Sequence, residues 1–242
     1  LEIGGATKGV YGYLHVGGGF DLPLSLGARS AHLNGRLGGV VKAGQMLPIG
    51  EDNIGVTGMV MSPEDRFAGG TIRAVESFQS ALFSDDTRAL FFNTPYHRDA
   101  RANRMGIRLT TDAAKFQADG GLVVLSESIV PGDIQMTGDG TPFILMMEHQ
   151  TTGGYPRIAT VIPADLPRVA QAPAGSELRF KLVSRALAIE AEKRARAYIK
   201  ALPSLCKPLL RDPAHMADLL SYELIDGVTD GTQGNTRKGD AS

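Results

Sequence analysis

The sequence predicts a mainly β protein with helices appended on its C-terminal side. Three observations predict this. There are 30 glycines and 13 prolines without a Gly-X-Y period, alongside 43% hydrophobic residues. That excludes collagen and disorder and leaves a chain of many tight turns. Short apolar or alternating runs, bounded by Gly, Pro and Asp, recur as far as Val183, as strands do. Helical spacing with charged residues between becomes dominant only after Ser184.

Strands are expected near Tyr11–Val16, Ile54–Met61, Thr71–Val75, Arg88–Phe92, Gly106–Thr110, Leu122–Leu125, Phe143–Met147, Ile158–Ile162 and Glu177–Val183. A short helix is expected from Asp165 to Gln171, with Asp165 as its cap and Pro167 in its first turn. Beyond Ser184, Leu187, Ala191, Ala195, Tyr198 and Leu202 form an apolar helical face, and Pro203 is expected to stop the helix. A second helix should begin at Asp212–Pro213, and the polar end of the chain reads as a flexible tail. The organisation expected is a first β lobe over 1–70, a second over 71–183, helices over 184–226 and a tail over 227–242.

The totals exclude several function classes. Lys plus Arg (25) nearly cancel Asp plus Glu (26), so no global field recruits nucleic acid or an anionic membrane. No apolar run reaches the roughly 20 residues of a membrane helix. Cys206 is the single cysteine, which rules out an intrachain disulfide and points to a reducing, cytoplasmic setting. The five histidines lack HxxxH or HxH spacing, so no metal site is expected. Leu1 is not an initiator methionine and a strand-like pattern starts at once; the chain reads as the interior of a larger protein.

Gly17-Gly18-Gly19 follows an expected strand but fits no phosphate-loop spacing, so a bulged connection is the simpler account. Arg29 and Ser30 follow a glycine. Arg29 can fork onto a carboxylate or ureido oxygen or simply lie at the surface. Arg104 and Arg108 share strand parity, and guanidiniums this close need an anion, carboxylate or polar substrate between them unless both are solvated. A bulge at Gly106 would re-aim one of them.

The stretch Glu148–Arg157 is the strongest candidate site. Five consecutive hydrogen-bonding side chains, Glu148 to Thr152, exceed what a hairpin turn needs. Gly153 and Gly154 let backbone N–H groups approach a ligand closely, and Tyr155-Pro156 stiffens the exit. Gln150 is both donor and acceptor, which suits an amide or ureido group. Glu127, Glu148 and His149 are chemically able to act as a general base.

At these residues the sequence resembles the biotin-dependent carboxyltransferase-like family, which includes the C-type subunit of 5-oxoprolinase, the second subunit of allophanate hydrolase and the carboxyltransferase region of urea carboxylase. The resemblance rests on Tyr13–Pro23, Leu26–Ser30, Asn103–Leu109, Ser126-Glu127 with Val130-Pro131-Gly132, and Gln150–Ala159. It spans roughly residues 1 to 182. It implies two linked cyclophilin-like β-barrel lobes, the first lacking its opening strands here. It further implies catalytic roles for Gln150, Arg104 and Arg108, and substrate contacts from Arg29, Ser30, Thr151, Thr152, Gly153, Gly154, Tyr155 and Arg157.

Three functions follow from the resemblance. One is the C-type component of an ATP-dependent complex that opens the cyclic amide of 5-oxoproline to glutamate. Its partners would be a cyclophilin-like B-type component and an A-type component. Another is transfer of carboxylate from carboxybiotin, carried by a partner, to urea or a related amide. The third is a non-catalytic component resembling the antagonist of a histidine-kinase inhibitor. No cofactor is expected to bind this chain tightly; ATP is used by the complex. The first is preferred, because no biotin-attachment tripeptide is present.

Overall fold

The computed structural model describes residues 1–52, 55–62, 64–113, 115–119, 121 and 123–209. The expected helix at Asp212 and the tail lie outside the described residues. Within them the chain forms β1 (Met59–Val60), β2 (Gly70–Val75), α1 (Asp85–Asn93), β3 (Pro95–Ala102), β4 (Gly106–Thr110), β5 (Glu127–Ser128), β6 (Asp133–Met136), β7 (Pro142–Leu145), β8 (Thr152–Gly153), β9 (Arg157–Val161), α2 (Leu166–Gln171), β10 (Glu177–Leu182), α3 (Arg185–Leu205) and β11 (Lys207–Pro208).

Seven of these strands close into a barrel in the order β10-β2-β9-β6-β7-β4-β3, with β3 returning to β10. Only β10–β2 is a parallel pair among them; the rest are antiparallel. Closure leaves no free sheet edge. The mainly β expectation is met, and the barrel occupies the stretch expected to form the second lobe. Residues before β1 carry three isolated bridges, Phe20↔Ile49, Ser25↔Ala28 and His32↔Leu37. Tyr11–Val16 is not a strand; Ile54 lies outside the described residues, and of the rest of the expected Ile54–Met61 only β1 forms. Large apolar side chains here lie open, including Tyr13 and Met46. Gly18 approaches Gly50 so closely that a Cβ would stand 2.3 Å from the Gly50 carbonyl oxygen. The glycine triplet therefore serves a backbone crossing, the bulged-connection reading.

The barrel core is aromatic at one end. Phe91 of α1 lies 5.2 Å (ring centroids) from both Tyr96 and Phe180 and 5.6 Å from Phe116, and all four are buried. This explains a correction: Arg88–Phe92, expected as a strand, is helical. Ser84 accepts from the Thr87 amide as N-cap, and Asp85 and Asp86 fill the first turn, both favourable at a helix N-terminus. The helix lets Phe91 plug the barrel. Leu122–Leu125 is also not a strand over its described residues.

Two strands of the barrel escaped the sequence reading, as did the two-residue strands β5, β8 and β11. Strand β3 buries Tyr96 and Arg98 on one parity, but its polar composition hides the alternation. Strand β6 is buried on both faces although it contains Asp133 and Gln135. Asp165 stands at the N-cap of α2 as expected, with Pro167 in the first turn, but its carboxylate makes no cap hydrogen bond and instead receives Arg73 Nε at 2.9 Å and the Arg73 amide at 2.8 Å. Helix α3 is capped by Ser184 and continues to Leu205, passing Pro203 in its last turn. Of its expected apolar face, Ala191 is buried and Ala195, Tyr198 and Leu202 are half-buried, while Leu187 stays 59% exposed.

Two predictions arise here. Gly132 has φ +95°, and a Cβ there would stand 2.6 Å from the Val161 carbonyl oxygen. Because that neighbour is backbone inside the β6–β9 crossing, Gly132→Ala should cost about 2–4 kcal/mol through left-handed strain plus overpacking; urea denaturation checks it. The second concerns acid. Hydrogen bonds from the Thr137 and Thr141 hydroxyls hold the Asp139 carboxyl down at about 2. A folded value below the unfolded one stabilises above about pH 4–5 and is lost as pH falls towards the folded value. Asp139→Asn should therefore flatten the fall in stability between about pH 4 and pH 2, seen in denaturation midpoints across that window.

Candidate functional site

The candidate loop Glu148–Arg157 leaves the end of β7 and re-enters the barrel as β9, fastened at both ends by ion pairs. At its start, Glu148 Oε1 pairs with Arg104 Nη2 at 2.7 Å, and the Glu148 amide donates to the Arg104 carbonyl at 2.8 Å. Arg104 Nη2 also donates to the Ala31 carbonyl at 2.9 Å. The Asn103–Gly106 turn is thereby tied to both the loop and the segment that carries Arg29 and Ser30. Asn103 Oδ1 fixes that turn by accepting from the amides of Met105 and Gly106.

At its far end Arg157 is buried, with its side chain 7% exposed. Its Nη2 meets Glu127 Oε2 at 2.6 Å, its Nη1 meets the Ser128 carbonyl at 2.9 Å and Asp133 Oδ2 at 3.4 Å, and its Nε meets Gln79 Oε1 at 3.1 Å. Gln79 Nε2 donates to the same Glu127 oxygen at 2.9 Å. This guanidinium is committed within the protein. Arg157, expected to contact substrate, also holds Glu127, whose Oε1 is left without a hydrogen bond among the described residues.

Between these anchors the loop is held by its backbone. Thr152 and Gly153 form β8, paired with Ser128 and Glu127 of β5. The Thr151 carbonyl accepts from Ile129 and the Gly154 carbonyl from Val124. At Gly153 the backbone lies close against two side chains: a Cβ would stand 2.5 Å from Gln135 Nε2 and 3.2 Å from Ile129 Cδ1. Gln150 is exposed, and its carboxamide makes no hydrogen bond among the described residues. Tyr155 is 42% exposed. The backbone is fixed while Gln150 and Tyr155 stay available, the division a binding loop needs.

The other expected residues fall into place differently. Arg108 Nη1 pairs with Asp99 Oδ2 at 2.7 Å, not with a group shared with Arg104. Each arginine has its own carboxylate, which answers the repulsion argument without a ligand. The bulge lies on the partner strand, in β3 between Arg98 and Ala102, not at Gly106. Hydrogen bonds from the Arg101 side chain and amide, then from Arg108, hold the Asp99 carboxyl well below the usual range. Arg29 turns back on its own loop, Nε donating to the Leu22 carbonyl at 2.7 Å; with Ser30 it lines a cleft of about 370 Å³. Thus Arg104, Glu148 and the Arg29–Ala31 segment are linked, while Arg108 stands apart as a strand-pairing ion pair.

A larger cleft of about 740 Å³ opens over the Arg157 anchor. Its polar lining includes Glu127, Asp133 and Arg157 together with Glu76 and Thr160, with Val75, Phe78 and Val130 beside them. Phe78 is fully exposed. Gln79, Asp133 and Gln135 were missed by sequence reading. Pro131-Gly132-Asp133 reads as a turn, and nothing in the Glu76–Ser80 run signals that Gln79 will reach Arg157.

Residues 1–182 match the family described as carboxyltransferase domain, subdomain A and B, and the chain belongs to that family. It is 34% identical over 209 residues to the C-type subunit of 5-oxoprolinase from Escherichia coli (strain K12), an alignment covering 84% of this chain and 66% of that protein. Against urea amidolyase of Lachancea kluyveri it is 26% identical, covering 84% of this chain but 12% of the relative. The crystal structure of Kluyveromyces lactis urea carboxylase superposes with TM-score 0.63 at 23% identity, over 81% of this chain and 20% of that one, which supports the fold. The first of these relatives is by name a subunit, and the chain spans just under two thirds of its length and about one eighth of the urea amidolyase. No helix among the described residues is long and apolar enough to cross a membrane.

Proposed function

We propose that the chain is the C-type subunit of an ATP-dependent 5-oxoprolinase complex, working in the cytoplasm with B-type and A-type partners. The observation that carries this reading is the 34% identity to the C-type 5-oxoprolinase subunit over 84% of the chain. The geometry of the Gln150 loop agrees with it. A lactam presents its N–H and C=O side by side, and a free carboxamide pairs with both in a two-bond fork. Gln150 stands exposed with that carboxamide unused. Glu148, neutralised by Arg104, holds the loop start, and the open Oε1 of Glu127 is an acceptor for a proton at the other anchor. The sequence contains no phosphate loop, so ATP handling is placed on the complex as a whole.

The alternative is carboxylate transfer from carboxybiotin to urea or a related amide, favoured by the likeness to urea amidolyase. There the same carboxamide would pair with a ureido group. One reconstitution separates the readings. The protein is co-purified with its B-type and A-type partners, and glutamate release from 5-oxoproline is measured with and without ATP. ATP-dependent release is expected. Absence of release, with bicarbonate- and biotin-dependent carboxylation of urea instead, would overturn the proposal. Tight partner binding with neither activity would point to the regulatory role of a kinase-inhibitor antagonist.

A further inference from the structure

Arg98 is the cation whose surroundings are least explained by the fold. It lies on β3 with Tyr96 on the same parity, and it is 6% exposed. Its backbone is fully used: the amide donates to the Ser176 carbonyl at 3.0 Å and the carbonyl accepts from Gly175 at 2.8 Å. Its side chain makes no hydrogen bond or ion pair among the described residues. Nε is enclosed and unpartnered, so any opening to solvent is at the terminal nitrogens.

The neighbouring carboxylate is already committed, since Asp99 holds Arg101 and Arg108. Burial pushes the Arg98 guanidinium down from its ordinary value, and Tyr11 offsets this only in part. Tyr11 is held in place by Gln171. Its Oε1 accepts from the amides of Val10 and Tyr11 at 2.8 and 2.9 Å, and its Nε2 donates to the Tyr11 carbonyl at 2.9 Å. A buried charge without a counter-charge is costly, several kcal/mol by general estimates. Among the described residues no carboxylate pairs with Arg98.

We propose that Arg98, buried on β3 with no counter-charge among the described residues, is a binding site for the carboxylate of a small organic acid. A single guanidinium neutralises one charge, and with Nε enclosed it offers its two terminal nitrogens end-on, the geometry a planar carboxylate fills with two parallel bonds. This site is separate from the Gln150 loop and does not depend on the reaction assigned there.

Thermal unfolding of the full chain at constant ionic strength tests it, with acetate, 5-oxoproline and the neutral lactam 2-pyrrolidinone as probes. Wild type should gain roughly 5–10 °C in Tm at about a hundredfold excess of a carboxylate over its Kd, and nothing through this site from the lactam. Arg98→Met should abolish the carboxylate response while keeping a baseline Tm at or above wild type, because an unpaired buried charge has been removed. Arg98→Lys, which keeps charge but loses the fork, should weaken the response. A wild type unmoved by acetate and 5-oxoproline would overturn the site. So would Arg98→Met responding as wild type does, or having a lower baseline Tm. Carboxylate binding without ATP-dependent glutamate release would leave this site standing and remove only the proposed function.

Discussion

Arg157→Met is expected to destabilise the protein by about 3–5 kcal/mol, the range for breaking a buried ion pair from one side. The size follows from what is left behind. Asp133 is 2% exposed and would lose its cationic neighbour, keeping only the Thr160 hydroxyl and the Val130 amide. Gln79 Oε1 would lose the Nε bond, and the Ser128 carbonyl its donor. Each buried acceptor left unpaired costs about 1–3 kcal/mol. Glu127, with its side chain 52% exposed, contributes little to the loss because water can replace its partner. Arg157→Lys should recover part of the loss, since an ammonium can reach one carboxylate but cannot span Gln79, Ser128 and Glu127 together. Urea denaturation midpoints for wild type and the two variants give the ordering. A loss under about 1 kcal/mol for Arg157→Met would show that the network relaxes around the gap and that Arg157 is free for another role.

The same residue shows what could be read from the sequence and what could not. That Glu148–Arg157 is more than a turn was visible in five polar side chains followed by two glycines, because local composition carries that signal. The partners of Arg157 were invisible: Gln79, Glu127 and Asp133 come from β5, β6 and a loop before α1, and closure of the barrel brings them together. Strands β4, β7, β9 and β10 were legible through apolar runs. Strand β3 was not, because its inward positions hold Tyr96 and Arg98 and the alternation reads as loop. The misassignment at Arg88–Phe92 has a local cause. Two adjacent phenylalanines suggested a strand, while the deciding signal, Ser84-Asp85-Asp86, lay just upstream as a helix start.

Gln150→Ala tests the other half of the division between anchor and contact. The side chain is exposed and unbonded among the described residues, so its removal should change stability by no more than about 0.5 kcal/mol. In a reconstituted complex with activity, turnover should fall about 10²–10³-fold, the usual cost of deleting one preorganised hydrogen-bonding group aimed at a reacting centre. Gln150→Glu sharpens the interpretation, because it keeps the acceptor, loses the N–H donor and adds a charge. If the carboxamide pairs with both the N–H and the C=O of a lactam, glutamate should rescue little. If only an acceptor for the lactam N–H matters, it should rescue much of the rate. A loss of soluble protein with full specific activity in what remains would place Gln150 among the anchors. The loop's function would then rest on Tyr155 and the backbone at Gly154. Denaturation curves measured beside kcat and KM on the same preparations distinguish these outcomes, because an anchor moves the first and a contact moves the second.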